Sequence, residues 1–349
     1  MLSILATTGI VLGIIVGTYI VFMLLMGLLP RKPVPLQPLK PEPPADVAQP
    51  SPPRKEVSFE VNGTPVSAWL YLPAEPAGPV PCIVMGHGLG ATKSAGLEYY
   101  ATHFQKAGLA SLAFDYRHLG ESGGEPRQLV WIPRQLEDYT AAIAYARSLP
   151  EIDSAKVGLW GTSLSGGHVV VTAAEDQQVA CVVAQVPLLG GDAGGMEVVR
   201  KLGFGYMLKM AFGHGLRDLV RGWLGLPAHK IPLAGQPHTI AAMADAGAWK
   251  AFNRLVPKDF VNEVCARILV RMDKYHPIKY APKVNCPVLL QICEQDLTTT
   301  PPKLVEKAMK QLGAHGEVIR YPIDHFDVYL GENLERAVTD QVQFYTRHL

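Results

Sequence analysis

Short apolar or β-branched runs alternate with helical patterns over most of this chain, and that alternation restricts the possible folds most strongly. Two strand-like runs come first, and single strands then alternate with helices. This order predicts a mainly parallel sheet with helices on both faces, within one α/β domain at 56–349. The eight predicted strands are Val57–Val61, Val66–Leu72, Val80–Met85, Ala110–Phe114, Val157–Trp160, Val179–Ala184, Pro287–Ile292 and Glu317–Tyr321.

The predicted helices lie between these strands, with one interruption. They are Leu97–Lys106, Pro133–Arg147, Ser165–Glu175, Pro302–Leu312 and Asn333–Arg347. From about 190 to 282 the alternation stops, and apolar residues mix with basic ones in amphipathic helical patterns. We interpret this insertion as a helical cap over the sheet.

The first 29 residues are predicted to form a transmembrane anchor. No charged residue occurs from Leu2 to Leu29, and about 20 apolar residues already span a bilayer core. Arg31 and Lys32 follow this run and no Lys or Arg precedes it. The positive-inside rule therefore predicts a single-pass protein with its α/β domain in the cytoplasm.

A proline-rich linker is predicted at 30–55. Ten prolines between Pro30 and Pro53 disfavour helix and sheet and favour an extended, semi-rigid stalk. A ligand for a proline-recognition domain is the alternative interpretation of the same segment.

Composition excludes some functions. With 32 basic and 31 acidic residues, the chain lacks the basic excess of a general nucleic-acid binder. Its five scattered cysteines contain no CxxC pair, which favours buried free thiols in a reducing compartment. No cluster of residues has metal-ligand spacing. The oligomeric state cannot be read from the sequence.

The strongest chemical motif is the sequence KVGLW followed by GTSLSGG at 161–167. A nucleophile on a sharp strand-to-helix turn needs small neighbours, and Gly161 and Gly166 supply them. Ser163 would expose its hydroxyl above the sheet, at a helix N-terminus that favours developing negative charge. The second glycine of the usual GxSxG motif is Ser165 here. A simple helix cap at Ser163 or Ser165 is the alternative.

An oxyanion hole is predicted after an earlier strand, in the sequence PCIVMGHGLGA at 81–91. The backbone N–H groups of Leu89 and Leu164 are its candidate donors, and His87, Gly88 and Gly161 are predicted to support the site. The same residues also fit a dinucleotide-binding GxGxxA pattern, with Asp115 ending the next strand. That alternative needs a helix to begin within the glycine turn.

A base and an acid follow the last two predicted strands. His325 lies in RYPIDHFDVY, and Asp296 lies in LLQICEQDLTTTPP. Carboxyl ends of parallel strands meet at one sheet edge, so both side chains are expected near Ser163. Ser163 would attack, His325 would transfer the proton, and Asp296 would hold the imidazolium. Glu294 and Asp192 remain alternative acids.

Taken together, GHGLG, FDYRHLGES, LWGTSLSGGHV and DHFDVY resemble the α/β-hydrolase superfamily over about 56–349. The chain is similar in particular to a branch with GxSxSGGH that includes dienelactone-hydrolase-like esterases and fungal polyketide transferases. The resemblance implies acyl transfer from a small-molecule ester, thioester or amide through an acyl-serine, without cofactor or metal.

Other polar residues near the predicted site have two interpretations each. After the strand that ends at Phe114, polar residues either contact substrate or brace the nucleophile region; they are Asp115, Arg117, Glu121 and Ser122. His168 is expected to be structural. The basic residues of the cap either face solvent or lie against an anionic membrane.

We therefore predict a membrane-anchored serine hydrolase for carboxylic esters or thioesters. One alternative is an acyltransferase that passes the acyl group to an alcohol or amine. The other is a non-catalytic binding protein on a hydrolase fold.

Overall fold

A computed structural model describes the chain at residues 2–29, 33–35, 38–40, 53–74 and 76–349. Among these residues the strands are β1 Lys55–Val61, β2 Thr64–Tyr71, β3 Val80–Gly86, β4 Ala110–Phe114, β5 Ile152–Thr162, β6 Val182–Gln185, β7 Lys230–Ile231, β8 Val264–Cys265, β9 Val288–Cys293 and β10 Gly316–Tyr321.

The α-helices separate these strands much as the sequence pattern predicts. In chain order they are α1 Leu2–Leu28, α2 Leu97–Lys106, α3 Ile132–Ser148, α4 Leu164–Asp176, α5 Gly191–Leu202, α6 Phe204–Met210, α7 Arg217–Trp223, α8 Ala246–Leu255, α9 Pro302–Leu312 and α10 Gly331–His348.

Eight strands form the main sheet, in the order β1-β2-β4-β3-β5-β6-β9-β10. The pairings of β1 with β2 and of β2 with β4 are antiparallel, and the remaining pairings are parallel. The prediction of a mostly parallel eight-stranded sheet with helices is confirmed. Strands β3, β5, β6 and β9 end side by side, so the loops that follow them form one catalytic edge.

Apolar side chains cover both faces of the sheet. One cluster packs α3 and α4 against the sheet and includes Tyr139 and Val169. A second cluster on the other face includes Phe104 of α2 and Phe344 of α10. Because the central strands are buried on both faces, their sequences are continuous apolar runs rather than alternating patterns.

The interruption predicted at about 190–282 lies between β6 and β9. It contains α5 to α8 and the short β7–β8 pair. A π-helical turn at Ala211–Leu216 joins α6 to α7, so these elements form a nearly continuous helical segment. The whole insertion at about 190–282 is called the cap below.

The N-terminal segment forms helix α1, a run of 27 residues without charge. Its C-terminal end packs against α7, where Arg221 Nη1 donates to the Gly27 carbonyl oxygen at 3.0 Å. Within the described part of the chain, no helix meets the length and apolarity needed to cross a membrane. The structure therefore does not support the transmembrane anchor predicted at 1–29.

Most of the predicted linker at 30–55 lies outside the described residues. Two short described pieces, 33–35 and 38–40, have no regular secondary structure. Val34 and Leu39 pack against the main apolar cluster, and the Lys40 N–H donates to Asn253 Oδ1 of α8 at 2.6 Å. These two described pieces thus contact the folded domain, and 38–40 also contacts the cap helix α8.

All five cysteines are buried and unpaired, as the sequence predicts. Burial raises the pKa of the Cys82 and Cys265 thiols to about 12 and that of Cys286 to about 11. These groups are neutral thiols at ordinary pH and are poor nucleophiles.

Candidate active site

Ser163 lies on a strained turn between β5 and α4. Its backbone has φ +55° and ψ −116°, a conformation that side-chain-bearing residues seldom adopt. Gly161 permits the turn, because a Cβ there would lie 2.1 Å from the Ser165 carbonyl oxygen. The Ser163 N–H donates to Gln185 O at 2.9 Å. This arrangement puts the Ser163 side chain in the wall of a pocket above the sheet.

The structure brings the predicted base and acid together. His325 Nδ1 lies 2.6 Å from Asp296 Oδ2, although the two residues are 29 positions apart. Asp296 Oδ1 also accepts hydrogen bonds from the backbone N–H groups of Thr298 and Thr299, at 2.9 and 3.0 Å. His325 lines the same pocket as Ser163, so the three predicted residues form one constellation.

Electrostatics favour the charged pair. Burial by itself raises the Asp296 pKa. Charge attraction to His325 and hydrogen bonds from His325 and Thr299 exceed that effect and lower the Asp296 pKa to about 2. Burial lowers the His325 pKa, yet attraction to Asp296 and their hydrogen bond exceed that effect, so the pKa is raised above 6.5. Asp296 therefore stabilises an imidazolium at His325.

The glycine-rich loop after β3 faces the nucleophile. A Cβ on Gly88 would lie 3.3 Å from the Ser163 Cβ, so glycine allows the loop to approach closely. Leu89 lines the pocket, and Leu164 is the first residue of α4. Among the described residues, neither backbone N–H has a hydrogen-bond acceptor. Both candidate oxyanion donors are thus available near the nucleophile.

His87 is buried beneath this loop instead of lining the pocket. Its Nδ1 lies 3.0 Å from the Gly88 carbonyl oxygen, and its ring packs edge-on against Tyr116. Burial lowers the His87 pKa, which keeps the imidazole neutral. These contacts connect His87 to the loop and to Tyr116.

The pocket is an open cleft of about 500 Å³, a volume that includes solvent at its mouth, and most of its lining is apolar. Ser163 and His325 line this pocket together with four apolar residues of the cap. The apolar lining residues are Leu89, Ala91, Ala95, Met243, Phe252, Leu255, Val256 and Phe326.

The polar residues after β4 brace the site. Asp115 is 1% exposed and pairs with Lys93 Nζ at 2.8 Å, and the Lys93 N–H donates to Asp115 Oδ1 at 2.6 Å. Arg117 pairs with buried Asp138, while the Ser122 hydroxyl donates to the Asp115 carbonyl oxygen at 2.6 Å. These contacts anchor the segment that follows Leu89, and they favour the bracing interpretation over substrate contact.

The positions of His168, of the alternative acids and of helix α2 bear on three further predictions. His168 is buried, with its ring nitrogens 2.7 Å from Tyr275 Oη and 3.1 Å from Gln135 Oε1, so it is structural. The alternative acids Glu294 and Asp192 are exposed and do not contact His325. The dinucleotide alternative fails because α2 begins at Leu97, well after the glycine turn.

Sequence reasoning missed Thr299 and most of the pocket wall. The Thr299 hydroxyl donates to Asp296 Oδ2 and lies 3.3 Å from His325 Nδ1. An Asp followed three residues later by Thr, after a strand, is a local signal for such a turn. The pocket residues of the cap had no comparable signal. Within the described residues, no group of three His, Cys, Asp or Glu side chains could hold a metal ion.

Comparison with known proteins agrees with this geometry. The quorum-quenching protein AidA of Acinetobacter baumannii is 38% identical over 294 residues, which cover 84% of this chain and 94% of AidA. The chain belongs to the α/β-hydrolase superfamily. The profile of the X-Pro dipeptidyl-peptidase (S15) family matches residues 62–202.

Two fungal proteins extend the comparison. The polyketide transferase ATR5 of Stachybotrys chlorohalonatus is 26% identical over 307 residues, which cover 85% of this chain and 98% of ATR5. The crystal structure of the α/β-hydrolase GrgF from Penicillium superposes with a TM-score of 0.70 at 23% identity, covering 85% and 99% of the two chains. The resemblance to α/β-hydrolases and polyketide transferases is therefore confirmed, and the chain is a serine-type hydrolase-fold enzyme.

Proposed function

We propose that this enzyme cleaves carboxylic ester or thioester bonds through an acyl group carried on Ser163. The observation that carries the proposal is the shared pocket: Ser163, on its strained turn, lines it together with His325, whose other ring nitrogen pairs with Asp296. The chain order Ser, Asp, His is that of an α/β-hydrolase triad. The non-catalytic alternative would not need this constellation.

The geometry supports a two-step reaction. Ser163 Oγ attacks the substrate carbonyl carbon while His325 Nε2 takes the hydroxyl proton. The carbonyl oxygen becomes an oxyanion, which the N–H groups of Leu89 and Leu164 stabilise. The C–O or C–S bond then breaks, and the leaving alcohol or thiol takes the proton from His325. In the second step water attacks the acyl-serine while His325 takes its proton. The bond between the acyl carbon and Ser163 Oγ then breaks, Oγ takes the proton from His325, and the free acid leaves.

The pocket wall indicates the acyl class. Met243, Phe252, Leu255 and Val256 line the same pocket as Ser163 with apolar surface and carry no charged group. Burial of apolar area contributes about 25 cal/mol per Å², so an apolar acyl chain gains affinity there. We therefore expect uncharged acyl groups of short to medium length.

The test is to trap the acyl-enzyme. Full-length protein is mixed with an aryl ester of an apolar acid, quenched within milliseconds, and analysed by intact-protein mass spectrometry. We expect a mass increase equal to the acyl group, mapped to the peptide that contains Ser163. Turnover without any adduct on that peptide, with Ser163→Ala as active as the wild type, would reject the proposal.

Acyl transfer is a second candidate, favoured by the extended similarity to a polyketide transferase. In that reaction an alcohol or amine replaces water in the second step, with His325 again taking the proton. Hydrolysis is measured with increasing added alcohol or amine. A transfer product that forms at the expense of free acid and saturates with the nucleophile supports the transferase. Free acid alone supports the hydrolase.

We also propose that the enzyme works at a membrane surface, with its catalytic domain on the cytoplasmic side. Support comes from the uncharged α1, whose described side chains include many exposed large apolar ones. The adjoining cap has further exposed apolar side chains, and water is a poor solvent for both surfaces. These cap residues are Met196, Phe204, Phe212, Trp223 and Leu224.

The membrane proposal is tested by flotation with liposomes. Full-length protein is compared with the Phe204→Ser/Trp223→Ser double variant and with a form that lacks 2–29. We expect the full-length protein to float, with a stronger preference for anionic lipids, and both altered forms to float less. Full-length protein that stays in the dense fraction with every lipid would contradict the proposal. Protease protection of closed vesicles would test the orientation.

A further inference from the structure

The residue two positions after the nucleophile departs from the usual GxSxG motif. Where that motif has glycine, this chain has Ser165, which is fully buried in the first turn of α4. Its side chain is therefore close to the reacting groups without lining the pocket. The structure shows what this hydroxyl contacts.

The Ser165 hydroxyl connects two parts of the site. It donates to the carbonyl oxygen of His87 in the loop after β3, and it lies 2.6 Å from the Tyr116 hydroxyl. Because Ser165 uses its hydrogen toward His87, Tyr116 is the donor of the second bond. Gly86 makes room for this arrangement, since a Cβ there would lie 2.5 Å from the Tyr116 oxygen.

These bonds exclude Ser165 as a second nucleophile. A nucleophile needs access to substrate and a base that takes its proton. Ser165 has no exposed surface, and its proton points to a backbone carbonyl that cannot accept it permanently. Its hydroxyl thus has a structural partner on each side.

The bonded carbonyl belongs to the peptide that joins His87 to Gly88. Fixing this peptide plane restricts the backbone that leads directly to the Leu89 N–H, one of the two oxyanion donors. The other donor, the Leu164 N–H, immediately precedes Ser165 in α4. One side chain therefore connects the two backbone segments whose separation defines the oxyanion hole.

We infer that Ser165 is a positioning residue that sets the separation of the oxyanion donors Leu89 and Leu164 through its bond to the His87 carbonyl. The inference rests on the proposed acyl-serine mechanism. Oxyanion donors stabilise the tetrahedral transition state more than the planar ground state. Losing the bond should therefore lower kcat and leave KM nearly unchanged.

The experiment compares Ser165→Ala and Ser165→Cys with wild-type protein in full-length form. Removing a complete oxyanion donor costs about 100- to 1,000-fold in kcat, so displacing one should cost less, about tenfold. The thiol is a weak donor, so Ser165→Cys should fall between wild type and alanine. Affinity for a trifluoromethyl ketone, which forms a tetrahedral adduct, should fall in parallel with kcat.

Thr172→Val is the matched control. Thr172 is also buried in α4, and its hydroxyl has no hydrogen-bond partner among the described residues. This variant should keep wild-type kcat and trifluoromethyl ketone affinity. Thermal unfolding of all variants separates catalysis from folding.

The outcomes divide clearly. The inference is supported if kcat decreases from wild type to Ser165→Cys to Ser165→Ala while KM stays constant. Trifluoromethyl ketone binding should weaken in the same order. If folded Ser165→Ala keeps both quantities within twofold of wild type, or if folded Ser165→Cys equals wild type in both, Ser165 does not position the hole. In that case an inactive Ser163→Ala variant would still leave the proposed mechanism intact. An active Ser163→Ala variant would reject the mechanism itself.

Discussion

His325 Nδ1 lies 2.6 Å from Asp296 Oδ2, in a buried contact between the loops that follow β9 and β10. Because those strands are parallel neighbours, their carboxyl ends place both side chains at one edge of the sheet. The contact holds the imidazole of His325, which lines the same pocket as Ser163. It also determines how activity should depend on pH.

The first prediction concerns this pH dependence. His325 must be neutral to accept the Ser163 proton, and its pKa is raised above 6.5 by Asp296. We expect kcat/KM to rise with pH through an apparent pKa above 6.5. Asp296→Asn removes the negative charge, so the rise of kcat/KM should occur at lower pH. We also expect kcat to fall by about 100- to 10,000-fold. The dependence of kcat/KM on pH is measured from pH 5 to 9 for both proteins. The same apparent pKa in the wild type and in Asp296→Asn would contradict the prediction.

The second prediction concerns Thr299, whose hydroxyl donates to the Asp296 carboxylate. Thr299→Val keeps the shape of the side chain and removes the donor, so the carboxylate is held less firmly. We expect kcat to fall about tenfold, the effect of losing roughly 1.4 kcal/mol of transition-state stabilisation. Thr299→Ser keeps the hydroxyl and should stay near wild type. Equal activity of the valine and serine variants would refute a role for the hydroxyl.

The third prediction concerns acyl-chain length. Phe252 and Leu255 of α8 contribute to the apolar lining of the pocket. Phe252→Ala should shift the optimum of kcat/KM toward longer acyl chains, since the truncated wall leaves room for extra methylene groups, each worth about 0.8 kcal/mol when buried. A series of aryl esters from acetate to decanoate measures the shift. Val261→Ala, at an exposed residue outside the pocket, is the control and should keep the wild-type profile.

The fourth prediction concerns the buried Lys93–Asp115 pair, in which both side chains are 1% exposed. Lys93→Met leaves a buried carboxylate without its cation, which typically costs about 3–5 kcal/mol of stability. Adding Asp115→Asn should recover part of that loss, because the uncompensated charge disappears. Urea unfolding of the single and double variants measures the coupling. Fully additive losses would show that the charges do not interact.

An exposed pair provides the comparison for this cycle. At the surface, Lys55 Nζ lies 2.9 Å from Glu151 Oε1. Lys55→Met should cost less than about 1 kcal/mol, since solvent screens the charges.

Much of the fold could be predicted from the sequence because its strands are buried on both faces. The run ASLAF at Ala110–Phe114 coincides with β4, and the apolar spacing of Leu97–Lys106 coincides with α2. By contrast, β5 begins at Ile152, ahead of the predicted Val157. Its early part carries polar, exposed residues that the apolar pattern could not reveal.

Those parts of the candidate site that lie in one turn or at the end of one strand could be predicted from the sequence. Gly161 and Ser163 share one turn, and the end of a parallel strand fixes the edge on which Asp296 and His325 lie. The pocket wall was not predictable. Met243 lies in an irregular segment, and Phe252 lies in the cap helix α8, whose sequence pattern does not show which of its residues line the site. Nor could a motif reveal the bond from Ser165 to His87, which joins residues 78 positions apart.

The central claim is that Ser163 is the nucleophile, and a fluorophosphonate probe tests it most directly. Full-length wild type and Ser163→Ala are labelled side by side, with thermal unfolding to show that both are folded, and the modified peptide is mapped by mass spectrometry. The account predicts a single adduct on Ser163 in the wild type and neither labelling nor ester cleavage in the variant. Equal labelling and cleavage by the folded variant would contradict it.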